Sequence, residues 1–219
     1  MFAAIAPRYD LLNHLLSLNV DRAWRRAAVR RLAWERRPGG TYLDLCAGTL
    51  DLAATLAHKP AFSGRVIGAD FVVPMLVRGR TKAARTRPVG ADALTLPFAD
   101  AAFDGVMVAF GVRNLADLDA GLAEAHRVLR GGGRFVALEF TTPRFAPLRA
   151  LYLFYLRRLL PAIGRAVSKH RDAYAYLPES VLGFPDPEAF AQRLQHAGFA
   201  DVRFELLSGG ICAIHHGTR

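Results

Sequence analysis

Two cysteines are present in 219 residues, Cys46 and Cys212, and they lie far apart in the chain. That usage excludes a disulfide framework and the paired spacings of zinc or dithiol sites, and it fits a reducing, cytoplasmic setting. Seven histidines occur, two of them adjacent at His215-His216, but no second ligand cluster accompanies them, so no metal is expected. Long apolar runs are also missing. Hydrophobic residues make up 52% of the chain, yet charges interrupt them well short of the ~18 residues a membrane span needs. The N-terminus has no charged region followed by an apolar one, so no signal peptide is expected. Acidic residues are scarce: 19 against 29 basic, a net charge of +10 carried almost wholly by arginine. No nucleic-acid-binding motif accompanies the excess, and no nucleic-acid partner is expected. A solvated arginine-rich face and an attraction to anionic lipid both remain open. The chain also lacks Gly-x-Gly-x-x-Gly, the turn that holds a dinucleotide pyrophosphate.

The hydrophobic pattern reads as a helical N-terminus followed by alternating strands and helices. Residues 1–36 are helical in pattern, over Tyr9–Leu16 and Asp21–Leu32, and Pro38-Gly39-Gly40 ends the second helix. Strands are expected at Tyr42–Cys46, Arg65–Asp70, Pro88–Ala91, Asp104–Phe110 and Arg134–Phe140. Helices are expected over Leu50–His58, from Pro74, and over Asp117–Leu129, with a turn at Gly131–Gly133. A helical insertion (about 145–170) and a helix over Pro187–His196 follow. Strands Val202–Leu207 and Gly210–His215 then suit an antiparallel hairpin through Ser208-Gly209. Near-continuous apolar strands alternating with helices predict one α/β domain of the doubly wound, Rossmann-like kind with a parallel sheet.

The small-residue turn Asp44-Leu-Cys-Ala-Gly-Thr-Leu-Asp51 follows the first strand, and Asp70 ends the second, 22 positions after Gly48. In nucleotide-binding α/β units an acid about 20 residues on reaches the ribose hydroxyls. A ligand with a ribose but no phosphate fits, and S-adenosylmethionine is the common one. Asp44 ends the strand where such ligands sit, or serves as a helix-capping carboxylate. Thr49 offers a hydroxyl to the ligand or to the helix start. Asp92 can accept from an adenine amino group while Ala93 and Leu94 wall the ring, or it closes a turn on its own backbone. Phe110-Gly-Val-Arg113-Asn114 follows the fourth strand at the same edge. Gly111 permits a tight turn there. Arg113 and Asn114 can orient an oxygen-bearing substrate, with Arg113 stabilising an oxyanion. The alternative pairs Arg113 with a carboxylate such as Asp117.

Several segments occur in a fixed order: Tyr9-Asp-Leu-Leu-Asn13, Asp44–Asp51, Ala91-Asp-Ala-Leu-Thr-Leu-Pro-Phe98, Phe110-Gly-Val-Arg-Asn114, His126-Arg-Val-Leu-Arg-Gly-Gly-Gly133, and Leu138-Glu-Phe140 before Pro143. Together they resemble the UbiE/MenG family of quinone-biosynthesis C-methyltransferases, from about residue 2 to the C-terminus. The resemblance implies a seven-stranded class I methyltransferase sheet. It implies S-adenosylmethionine contacts at Thr49, Asp70, Asp92 and Ala93, and at Ala109, where relatives often carry Ser; Gly48 and Phe71 are further cofactor-binding candidates. It implies a demethylated polyprenyl quinol beside Arg113; Asn114 is a catalytic candidate with it, and Tyr9, Asn13, Phe110 and Gly111 are candidates on the substrate side. Asp10 and His14 are further candidates to cover the site. The family usually has Gly-Thr-Gly-Asp where this chain has Gly48-Thr49-Leu50-Asp51. If that position takes positive φ, Leu50 costs on the order of 1–2 kcal/mol. If not, its side chain crowds the ligand or turns into the core.

Pro143–Leu160 is rich in Leu, aromatics and Arg. It suits an interfacial helix at the inner face of a membrane, a greasy lid, an ordinary core helix or a homodimer contact. Two other functions are kept beside quinol methylation: methylation of another small lipophilic acceptor, and a catalytically silent quinone-binding or scaffold subunit, which Leu50 motivates.

Overall fold

A computed structural model of the protein describes residue 17 and residues 19–160 and 172–219. The expected helix Tyr9–Leu16 and the candidates Tyr9, Asp10, Asn13 and His14 lie outside the described residues.

Helix α1 (Val20–Arg31) leads into β1 (Thr41–Leu45), α2 (Asp51–Ala57), β2 (Arg65–Asp70), α3 (Val73–Gly79) and β3 (Thr86–Gly90). Then come β4 (Phe103–Ala109), α4 (Leu118–Val128), β5 (Leu129–Phe140) and α5 (Ala146–Phe154), which continues as a π-helical turn over Tyr155–Leu159. Helices α6 (Asp172–Gly183) and α7 (Pro187–His196) precede β6 (Ala200–Leu207) and β7 (Cys212–Thr218). The seven strands form one sheet in the order β3-β2-β1-β4-β5-β7-β6. The first five are parallel, and β7 runs antiparallel to both β5 and β6. The sheet is therefore mixed, and the expected hairpin is its antiparallel end.

Strand periodicity divides the core. Met107, Val136 and Leu138 face α1 and α2, joining Trp24, Val29, Leu52 and Leu56 in one cluster. Their neighbours Val106, Val108, Phe135 and Ala137 face the other side, packing with Leu122 of α4 and with Phe190 and Leu194 of α7. Successive strand residues point to opposite faces, so apolar residues on both faces require a helical layer on each side.

Most element ends differ from the sequence reading by a residue or two, and four differences have a structural reason. Strand β3 begins at Thr86 and contains Pro88, which an edge strand tolerates because one side of its backbone has no ladder partner. Strand β5 starts at Leu129, directly after α4, and carries the glycine run within it. The run pairs with the C-terminus: the Gly132 amide donates to the Arg219 carbonyl at 2.7 Å, and Gly132 holds φ +72°. Strand β7 extends to Thr218, beyond the expected His215, because it has partners on both sides. Helix α6 follows the insertion and was not expected. Pro178 sits within it and reads locally as a helix breaker.

Candidate active site

Chain order reverses between β1 and β4, and ligands of open α/β sheets bind beyond the strand ends at such a point. A cavity of about 340 Å³ opens there. Its walls come from the loops after β1, β2, β3 and β4, and from one residue of α1.

The β1 loop is built on left-handed backbone. Cys46, Gly48 and Leu50 have φ of 53°, 52° and 66°, and Phe110 in the β4 loop has 59°. Only Gly48 takes this region without a steric cost. The question raised at Leu50 is thereby answered in two parts. The position does require positive φ, and the side chain turns away from the cavity: Leu50 is fully buried and packs over Gly68 on β2. A Cβ on Gly68 would lie 2.2 Å from Leu50 Cδ2, so the missing side chain at 68 makes room for the one at 50.

Asp70 ties the loop together. One carboxylate oxygen accepts from the Gly48 amide and the other from the Val72 amide, each at 2.7 Å. A carboxylate oxygen has a second lone pair, so Asp70 keeps capacity for ribose hydroxyls facing the cavity. Asp44 lines the cavity and also caps α2, accepting from the Ala53 amide at 2.8 Å. Leu50, the N-cap residue, offers no side-chain acceptor, and Asp44 supplies it from the strand. Burial pushes the Asp44 carboxyl up to about 8, against the amide hydrogen bond and Arg25, which favour the ionised form. Thr49 is buried in the wall, Phe71 is the most exposed large apolar residue at its rim, and Ala109 lies at the end of β4. Asp92 accepts from the Leu94 amide at 2.9 Å in a turn and also faces the cavity beside Ala93. Asp44 and Asp92 thus each hold local backbone and also line the cavity.

Arg113 does not pair with Asp117. Asp117 caps α4 through the Ala120 amide at 3.0 Å. The Arg113 guanidinium bonds the Glu139 carboxylate at 2.8 Å, lies 5.4 Å from the Phe140 ring centre, and donates to Ser180 Oγ of α6 at 3.3 Å. Both charged groups are buried, and burial raises the Glu139 carboxyl despite the guanidinium beside it. Asn114 faces the cavity and accepts at Oδ1 from the Tyr176 hydroxyl at 3.0 Å. Phe110 and Gly111 line the wall, and Phe110 stacks on Phe140 at 4.5 Å with Trp24 against both rings. Gly111 has no room for a side chain: its Cβ would lie 2.4 Å from that of Cys46.

The sequence reading missed Arg25, Met75 and Tyr176, and assigned Glu139 no role. The spacing of Asp21 and Arg25 signals an i,i+4 pair, but not that Arg25 reaches the cavity. Among the described residues no group of three His, Cys, Asp or Glu is placed to hold a metal.

The cavity suits S-adenosylmethionine in its donor set. It has carboxylates for the ribose diol and the cationic end, an acid and apolar wall for adenine, and no basic cradle for phosphate. This fold and site define a class I S-adenosylmethionine-dependent methyltransferase. The chain belongs to the ubiE/COQ5 methyltransferase family, whose model matches residues 1–219. It is 50% identical over 223 residues to the demethylmenaquinone methyltransferase of Thermus thermophilus, covering all of both chains. It is 44% identical to the ubiquinone/menaquinone biosynthesis C-methyltransferase UbiE of a Geobacter species, covering all of this chain and 94% of the relative. In fold it is similar to a SAM-dependent methyltransferase of Thermotoga maritima, with a TM-score of 0.69 at 18% identity over 99% and 97% of the two chains.

Proposed function

We propose that the protein methylates a ring carbon of a demethylated polyprenyl quinol, converting demethylmenaquinol to menaquinol, with the benzoquinol precursor of ubiquinol as a second acceptor. The observation that carries this reading is the Phe110–Asn114 turn. It brings Asn114 and an apolar aromatic wall to the mouth of the cofactor cavity and holds Arg113 directly behind them.

When bound, S-adenosylmethionine supplies a methyl group on a sulfonium, open to in-line displacement by a carbon nucleophile. The chain's task is to position that carbon and make it nucleophilic. Loss of a proton from the hydroquinone hydroxyl pushes charge into the ring, and the phenolate oxygen then needs a fixed positive neighbour. Arg113 is the candidate for that charge: it stands behind the cavity wall, fixed by Glu139, and acts on the phenolate from there without reorganisation. A guanidinium stays charged in a protein and is a poor direct base, so the proton leaves through water to a carboxylate or histidine. Asn114 orients the hydroxyl, supported by Tyr176. Asp44, Gly48, Thr49, Asp70, Phe71, Asp92, Ala93 and Ala109 serve as the cofactor-binding wall. Phe110 and Gly111 pack the substrate ring.

The tail partitions into lipid, and α5 has the surface to meet it. Phe145, Leu151 and Phe154 are exposed beside the exposed Arg149, Arg157 and Arg158. An apolar stripe flanked by arginines favours an anionic membrane surface, and among the described residues no helix is long and apolar enough to cross one. The protein thus acts from the cytoplasm at the inner face of the membrane. On vesicles containing phosphatidylglycerol, Arg157→Glu/Arg158→Glu is expected to lose binding. Unchanged binding would instead leave this face to a homodimer contact, read by sedimentation.

The deciding experiment is calorimetric titration with S-adenosylmethionine, with Asp70→Ala as control, followed by product analysis on demethylated naphthoquinols and benzoquinols. Binding lost in the variant and a methylated ring product support the reading. Cofactor binding without methylation of either quinol refutes it in favour of another lipophilic acceptor, and no cofactor binding would point to a scaffold.

A further inference from the structure

The wall of the cofactor cavity has an uneven charge pattern. Asp51, Asp70 and Asp92 contribute carboxylates, Asp44 adds a carboxyl whose ionisation burial opposes, and among the described lining residues Arg25 is the one cation. S-adenosylmethionine carries a sulfonium and an ammonium, which suit such a wall, but also an α-carboxylate, which those acids repel. At short range in a partly desolvated site that repulsion is not screened away. A cation in the wall would offset that repulsion.

We propose that Arg25 of α1 is the receptor for the carboxylate of the cofactor's amino-acid end. The side chain is already in place. Its guanidinium pairs with Asp21 one turn earlier on α1, and lies 5.7 Å from the ring centre of Phe110. The residue is 8% exposed, so the group is held without searching solvent. Its second amino group is 3.8 Å from the Asp51 carboxylate, too long for a hydrogen bond. Lys82 occupies the other oxygen of Asp51. Arg25 thus keeps unused donors in a planar fork, the geometry that binds a carboxylate through two parallel bonds. The arrangement also gives α1 a part in ligand binding, although it lies outside the strand–helix repeat that forms the rest of the cavity.

Calorimetry on the full chain with two ligands tests this. S-adenosylhomocysteine has the carboxylate, whereas 5′-methylthioadenosine keeps the nucleoside and sulfur but lacks the amino-acid end. Arg25→Gln is expected to weaken S-adenosylhomocysteine about 10–100-fold, the loss of charge-assisted hydrogen bonds. Binding of 5′-methylthioadenosine is expected to stay within about twofold. Arg25→Lys, which keeps the charge and loses the fork, falls between the wild type and Arg25→Gln; it also carries the test if the glutamine variant does not fold. Decarboxylated S-adenosylmethionine, which retains the ammonium, is expected to bind the wild type and both variants alike. Parallel weakening of both first ligands would make Arg25 a structural pin, and no weakening of either would remove it from the site. Failure of the wild type to bind any of these ligands would strike the cofactor assignment itself.

Discussion

Replacing Leu50 with glycine sets two effects of opposite sign against each other, and the structure says which prevails. Leu50 holds φ 66°, a region that costs a non-glycine residue on the order of 1–2 kcal/mol, which glycine would recover. The side chain is also fully buried over Gly68. Deleting a buried leucine side chain costs about 3–5 kcal/mol in lost transfer energy and cavity. Packing therefore outweighs strain, and Leu50→Gly is expected to destabilise the fold by about 1–4 kcal/mol. Urea denaturation measures this. Because the side chain points away from the cavity, calorimetry with S-adenosylmethionine is expected to show affinity within a few-fold of wild type. The partner position sharpens the test. Gly68→Ala places a carbon 2.2 Å from Leu50 Cδ2 and is expected to destabilise the wild type, but much less in the Leu50→Gly background. A stabilised Leu50→Gly variant, or strictly additive effects at 50 and 68, would refute the reasoning.

Arg113→Lys is expected to cut turnover at least tenfold with cofactor affinity unchanged, since a point charge replaces the fork held by Glu139; full turnover would remove the oxyanion role. Arg113→Ala should cost about 3–5 kcal/mol in urea, because it strands a buried carboxylate, whereas Glu139→Gln/Arg113→Gln should recover part of that loss. Two buried groups tilt the pH dependence of stability in opposite directions. Asp44 is raised from 3.8 to about 8 by burial, so the folded state holds an extra proton across that window and stability falls as pH rises through it. Asp44→Asn is expected to remove this slope. His215 is lowered from 6.5 to about 4 by burial between Phe190 and Phe204, so stability falls as pH drops through that window, and His215→Gln is expected to flatten the acid limb. Urea midpoints of the two variants from pH 4 to pH 8 separate the contributions.

The methyl-donor half of the site was legible along the chain because it is local. A strand, a small-residue loop and an acid one strand later determine the Gly48–Asp70 relation whatever the rest of the protein does, and strand β2 and helix α7 were readable from periodicity with their bounds intact. Periodicity located strands and helices. It could not name partners across the sheet. That Arg113 meets Glu139 and not Asp117 depends on β4 and β5 lying side by side in register, Ala109 against Leu138. The direction of the Leu50 side chain depends on a glycine 18 positions later, on a neighbouring strand. That Arg25 joins the cavity depends on where α1 packs, and the contact of α6 with Arg113 and Asn114 depends on a helix hidden by its internal proline. Local sequence determined which residues turn and alternate and which acid closes on the first loop. Only long-range packing decided which buried charges meet, because a buried charge is paired by whatever the fold brings within hydrogen-bond reach.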